Sequence, residues 1–270
     1  MKILAITGTH RRHNLFVHHL QKHCDLYAHL RVVREEMVPD PPKWVDDHLA
    51  TLWQLHFQKR EEAEFRWFRD TKLGPVKRQY TVVPQGLNND HTRHWISTLD
   101  VDLVFIAGVP IIRDPLFSVL PAWKVNLHMG LIPWFKGSIT MWWPSYLLKP
   151  HWSGCSYHVI DKLVDTGMLL HQTSETLEPT WGLHDIASAN YLKACVDVGK
   201  VLKFAEQQVS DGVLPVSDSS LVGRGKTFVK ADWHPAMLVQ MYQAWEDSVA
   251  KYFVEGKLGK ADWPELKEIS

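Results

Sequence analysis

Asn126, His128 and Asp165 are the residues of this 270-residue chain whose types and spacing could run a reaction. Asn126 and His128 lie two positions apart in the short apolar run Lys124 to His128, KVNLH. On a strand that spacing puts both side chains on one face, so an amide and an imidazole share a pocket. The pair suits acyl transfer: the amide N–H steadies the oxyanion of a tetrahedral intermediate, and the imidazole handles protons or, when charged, also steadies the oxyanion. A carboxylate must still orient and tune the ring, and Asp165, in the glycine-bounded turn Asp165-Thr166-Gly167, is the candidate. Taken singly, each has a blander reading, His128 as a hydrogen-bonded core histidine and Asp165 with Thr166 as an ordinary turn.

The elements that must position these residues read as α/β. Lys2 to Thr7 is a buried-strand pattern stopped by Gly8, and Leu15, Phe16, Val17 and Leu20 then fall near one helical face. Leu26 to Val33 and Tyr80 to Val83 read as further strands, with a helix near His91 to Leu99. Asp102 to Ala107, DLVFIA, has the unbroken apolar character of a central parallel strand. Ligands bind at the C-terminal ends of such strands, where KVNLH delivers Asn126 and His128. Strands flank the turn at Asp165, and Trp181 to Phe204 reads as a helix. Val45, Leu49, Trp53 and Phe57 recur every four residues behind Pro41 and Pro42, predicting a long helix within 41–70 that is an insertion. From about 208 the chain turns rich in Gly and Ser, and a final helix is expected near Pro235 to Val254.

In combination the motifs are more specific than any one of them. N-L-H, then L-I-P, then Trp134-Phe135-Lys136-Gly137, then D-T-G further on, resembles the formyltransferase family over roughly Asp102 to Leu202. That family includes glycinamide ribonucleotide transformylases, methionyl-tRNA formyltransferases and amino-sugar N-formyltransferases. The resemblance implies a Rossmann-like formyltransferase fold with a mostly parallel central sheet and a helical C-terminal extension. The catalytic domain is then 1–208, and 209–270 is the extension. It also implies that Asn126, His128 and Asp165 match the family's catalytic three and that the formyl donor is 10-formyltetrahydrofolate, with no metal. By the same resemblance the folate pocket falls on Gly108, Val109, Ile111 and Ile112 after the central strand, and on Ile160, Asp161 and Val164 before the catalytic aspartate. Apolar walls with backbone hydrogen-bonding groups suit a flat pterin.

The departures bear on the acceptor. Where the family pattern runs Pro-Ser-Leu-Leu-Pro after the histidine, this chain has Met129-Gly130-Leu131-Ile132-Pro133, which alters the wall around an acceptor amine, together with Trp134 and Lys136. GTHRRH stands where relatives often carry a glycine-rich phosphate loop. Arg11 and Arg12 at a helix start either grip an anion or are solvated charge.

Lys plus Arg equals Asp plus Glu at 30 each, so no global field favours a nucleic acid partner. The mixed-charge tail lacks the barrel of the tRNA-modifying relatives. A small-molecule amine is therefore expected, an amino sugar first, with a ribonucleotide amine or a hydroxyornithine-like amine as alternatives. A formyltetrahydrofolate hydrolase is a second reading, and a non-catalytic folate binder a third. The apolar-then-basic start is the reverse of a signal peptide and no apolar run would span a bilayer, so a cytoplasmic protein is expected. The three cysteines read as reduced and structural. A stripe of Met237, Met241, Trp245 and Val249 either packs within the chain or pairs two copies as a homodimer.

Overall fold

A computed structural model describes residues 1–216 and 223–269. Part of the Gly- and Ser-rich stretch noted above, 217–222, lies outside the described residues. Seven strands form one sheet: β1 (Ile3–Gly8), β2 (Ala28–Val32), β3 (Arg78–Val82), β4 (Leu103–Ala107), β5 (Lys124–His128), β7 (Cys155–Val159) and β8 (Leu169–Thr173), with the short β6 (Phe135–Gly137) outside it. Their order is β3-β2-β1-β4-β5-β7-β8. The first five are parallel, β7 runs antiparallel to β5, and β8 is antiparallel to β7 and so parallel to the rest. β1 and β4 are buried at every position, as apolar runs covered on both faces must be. From β1 the chain steps to β2 and β3 on one side, then crosses to β4 on the other side of β1, so the crevice at the ends of β1 and β4 is the topological switch point.

Helix α1 (Arg11–Gln21) and the 28-residue α6 (Leu183–Ser210) cover one face of the sheet. Here Phe16, Phe105, Tyr157, Tyr191 and Val198 interlock. The other face packs on α3 (Asp90–Ser97) and α4 (Leu116–Val119) through Leu30, Ile96, Ile106 and Leu116. Cys24, Cys155 and Cys195 are free thiols. Among the described residues, no helix is long and apolar enough to cross a membrane.

A third cluster forms an annex. Helix α2 (Asp47–Phe68) starts where the Asp46 carboxylate accepts the Leu49 N–H at 2.8 Å. It lays Leu49, Leu52 and Trp53 against Trp142 and Trp143 around α5 (Trp143–Tyr146) and against Phe228, Trp233, Leu238 and Met241 from the C-terminal segment. The expected final helix over Pro235 to Val254 is broken instead. A single turn at Met237–Val239 widens into a π-turn at Gln240–Ala244, Glu246 and Asp247 take positive φ (50° and 55°), and helix resumes only at Val249–Val254. The cause is Asp247, whose carboxylate turns inward to accept from the backbone of Leu183 at 2.8 Å and from Lys59 at 3.1 Å. Met237, Met241, Trp245 and Val249 all pack into the annex of their own chain. β9 (Lys226–Phe228) pairs in parallel with β6.

Candidate active site

β5 places the first two residues. Of its five positions only Asn126 is not fully buried, and its neighbour across the parallel ladder is Ile106. On the other side β7 runs antiparallel, setting His158 opposite Asn126 and Ser156 opposite His128. Asp165 follows from the β7–β8 connection at φ 51°, a left-handed conformation that aspartate tolerates better than most residues. There its carboxylate meets both rings, with His128 Nδ1 at 3.4 Å from Oδ2 and His158 Nε2 at 3.3 Å from Oδ1. The backbone of Gly137 donates to Oδ2 at 2.7 Å. Burial alone would push this carboxyl up, but the charge of His128, the His158 bond and the Gly137 N–H outweigh it and hold the group well below the usual carboxylate range.

The proton positions follow from the partners. His128 Nε2 lies 2.8 Å from the carbonyl of Phe135, which can only accept, so Nε2 carries a proton. His158 Nε2 lies between Asp165 and the Asn126 amide, 3.0 Å away. The atom placed there is Asn126 Nδ2; because Asp165 Oδ1 calls for a proton on His158 Nε2, we assign the amide the other way round, with Oδ1 toward His158 and the N–H groups free. Free N–H groups beside a ring held by a carboxylate are what an acyl-transfer site needs. Ser156 braces the adjoining loop, donating to Gly130 O at 2.7 Å and accepting from Ile132 N at 3.0 Å. His158 escaped the sequence reading. Its signal was a histidine inside a strand buried at every position, seven residues before the aspartate.

The other residues singled out by sequence fall into three groups. Val109, Ile112 and Ile160 pack on the same apolar cluster. Gly108, at φ 65°, must be glycine, because a Cβ there would lie 2.0 Å from the His13 ring, which fills the crevice at the ends of β1 and β4. Ile111 is 52% exposed, and its carbonyl accepts from Asn88. Asp161 holds the loop itself, accepting from Leu163 N at 2.9 Å and Thr166 Oγ1 at 3.0 Å, and Val164 is half-buried beside it. A cavity of about 310 Å³ is lined by Lys124, Ile160, Asp161 and Gly167, among others, but not by Asn126, His128 or Asp165.

Arg11 pairs with Asp70 at 3.0 Å and lies 3.7 Å from Glu61, and Arg12 pairs with buried Glu64. Both arginines therefore tie α1 to α2, and their charge is met within the chain. Met129 is half-buried against the first core, Trp134 packs edge-on to Trp152 at 5.1 Å, and Lys136 is buried in β6. Among the described residues no group of three or more His, Cys, Asp or Glu is placed to hold a metal ion.

No protein-family model matches this chain, and no curated protein matches it in sequence. Solved structures do match it. A phosphoribosylglycinamide formyltransferase from Anaplasma phagocytophilum superposes with a TM-score of 0.55 at 17% identity, over 84% of this chain and 98% of that one. A glycinamide ribonucleotide transformylase from Symbiobacterium toebii gives 0.51 at 15% identity, over 81% and 95%. A sugar N-formyltransferase from a Shewanella species gives 0.52 at 14%, over 86% and 78%. The sheet order, the antiparallel return and the carboxylate between two histidines thus sit in a chain that has the formyltransferase fold.

Proposed function

We propose that this protein is a cytoplasmic N-formyltransferase that moves a formyl group from 10-formyltetrahydrofolate to the amine of a small molecule, an amino sugar being the first choice. The observation that carries the reading is Asp165, held ionised between His128 and His158 at the strand end where Asn126 presents its amide. The fold supports it, because the sugar N-formyltransferase and the ribonucleotide transformylases share the architecture. Residues 1–208 would carry the catalytic groups, and 209–270 an extension packed on them.

The residues fit the donor. Val109, Ile112 and Ile160 form an apolar wall, and the loop 161–165 adds backbone groups of the kind a flat heterocycle uses. Bound there, 10-formyltetrahydrofolate would supply the electrophilic formyl carbon. Asn126 directs an N–H to the oxygen that becomes negative as the acceptor nitrogen adds to that carbon. His128 sits beside the same oxygen, its ring fixed at Nε2 by Phe135 and at Nδ1 by Asp165. The attacking amine becomes cationic and must lose a proton; with His128 Nε2 already protonated, the acceptors are His128 Nδ1 and the Asp165 carboxylate beside it, directly or through water. Collapse breaks the bond from carbon to the donor nitrogen, which leaves with a proton, so the products are a formamide and tetrahydrofolate.

The test is purified protein with 10-formyltetrahydrofolate and a panel of amino sugars, ribonucleotide amines and hydroxylated diamines, followed by donor consumption and product mass. Amine-dependent consumption with a formylated product supports the proposal. Consumption indifferent to every amine would make it a hydrolase, and binding without consumption would sink the enzymatic reading altogether.

A further inference from the structure

We propose that β9, a strand contributed by the C-terminal extension, is the brace that sets the geometry of His128 and Asp165, with Phe228 and Gly225 as positioning residues. The inference rests on the formyl-transfer reading for its activity readout, but its geometry is independent of it. Both catalytic side chains are tied to the backbone of the same three-residue strand. His128 Nε2 donates to Phe135 O at 2.8 Å, and Gly137 N donates to Asp165 Oδ2 at 2.7 Å. Whatever holds β6 therefore holds the imidazole and the carboxylate relative to each other.

β6 lies outside the main sheet, and its strand partner among the described residues is β9. Phe135, Lys136 and Gly137 pair with Lys226, Thr227 and Phe228. Bonds from Lys226 N to Trp134 O at 3.2 Å and from Ser138 N to Phe228 O at 2.8 Å close the two ends. Two close approaches lock the register. A Cβ on Gly137 would stand 2.1 Å from Phe228 O, and a Cβ on Gly225, at φ 63°, would stand 2.0 Å from Pro133 O. The Phe228 ring is then stacked between Phe135, at 6.0 Å between centroids, and Trp143, at 4.4 Å. The extension thus acts on the reacting groups through β6, whose backbone makes the two bonds to His128 and Asp165. A shift of about an ångström in such a frame costs on the order of a hundredfold in rate.

The experiment compares Gly225→Ala, Phe228→Ala and Phe228→Tyr with the parent protein. Turnover, the KM of donor and acceptor, and the NMR signals of the His128 ring nitrogens are read on samples that unfold cooperatively. Gly225→Ala and Phe228→Ala should lower kcat by about tenfold to a hundredfold with KM changed less than about threefold. The His128 signals should move as its bond to Phe135 loosens, and Phe228→Tyr, which keeps the stack, should restore both readouts. Folded Gly225→Ala and Phe228→Ala proteins with parental kcat and unmoved His128 signals would overturn the proposal. If the parent forms no formamide from any amine, the functional reading fails on its own. The ring signals then still decide the brace, which stands if they move and falls if they do not.

Discussion

Two of the close histidine pairs in this molecule differ in what stands between the rings. His128 and His158 flank the Asp165 carboxylate at the open end of a parallel sheet. His56 and His184 face each other in the annex, His184 Nε2 3.3 Å from His56 Nδ1, with Tyr242 Oη at 2.8 Å from the same nitrogen and the rings of Trp142 and Trp233 around them. No carboxylate is bonded to either ring of the second pair among the described residues, and burial pushes both down, His184 to about 3. A histidine at this sheet end is met by a carboxylate, the setting that proton transfer needs. Elsewhere the same side chain is a polar packing piece.

The largest effect should come from breaking the first pair. His128→Ala should lower turnover by about 10²- to 10⁴-fold, the range for a general acid or base, and leave the fold in place. Near-parental turnover would remove His128 from the mechanism. Asn126→Ala should cost about 10²- to 10³-fold in kcat with little change in substrate binding, as for one oxyanion donor. A raised KM with unchanged kcat would make Asn126 a binding residue instead.

The first pair was half legible in the sequence, and the second not at all. Asn126 and His128 stand out because the period of two in KVNLH puts them on one face, and Asp165 because its turn ends in glycine. The strands themselves, though not their order in the sheet, follow from apolar runs separated by helical patterns. His158 was hidden because its partner is fixed by antiparallel register across β5 and β7, and register is a tertiary fact. The charge of Arg12 reads as a surface or an anion grip until α2 brings Glu64 beside it, 52 residues away. The break at Glu246 and Asp247 has no local cause either, since the groups that draw Asp247 inward, Leu183 and Lys59, lie 64 and 188 residues off.

Asp165→Asn keeps size while removing the charge between the rings, and turnover should fall by at least about 10²-fold with donor affinity little changed. The pH profile sharpens this. With its carboxyl held well below the usual range, Asp165 stays ionised throughout the range in which activity is measured, so its titration does not set a low-pH limb. The variant should therefore show a lower plateau and still retain a limb. A limb that disappears in Asp165→Asn would mean that the carboxyl titrates near neutrality. The same depression stabilises the fold above the ordinary carboxylate value of 3.8 and is lost as pH falls through the lower folded value.

The smallest effect on activity and the clearest on stability should come from the second pair. His56 Nδ1 has one lone pair for two neighbours, Tyr242 Oη and His184 Nε2, so a proton on that nitrogen forces at least one of them to accept where it had donated. Burial lowers the folded values of both histidines below the ordinary 6.5, led by desolvation in each. Unfolded chains therefore bind more protons than the folded protein once the pH drops below about 6.5, and stability, full above that value, falls as the solution is acidified toward about 3, where folded His184 itself charges. His56→Phe removes one of these groups. At neutral pH it should cost about 1–3 kcal/mol, because the Tyr242 hydroxyl is left without its partner, while turnover changes less than about threefold because the ring lies apart from the reacting groups. Between pH 7 and pH 5, urea midpoints for the variant should fall less steeply than for the parent protein. Equal slopes would mean that His56 already titrates with solvent access, and a loss of turnover as large as that of Asp165→Asn would abolish the division between the two pairs.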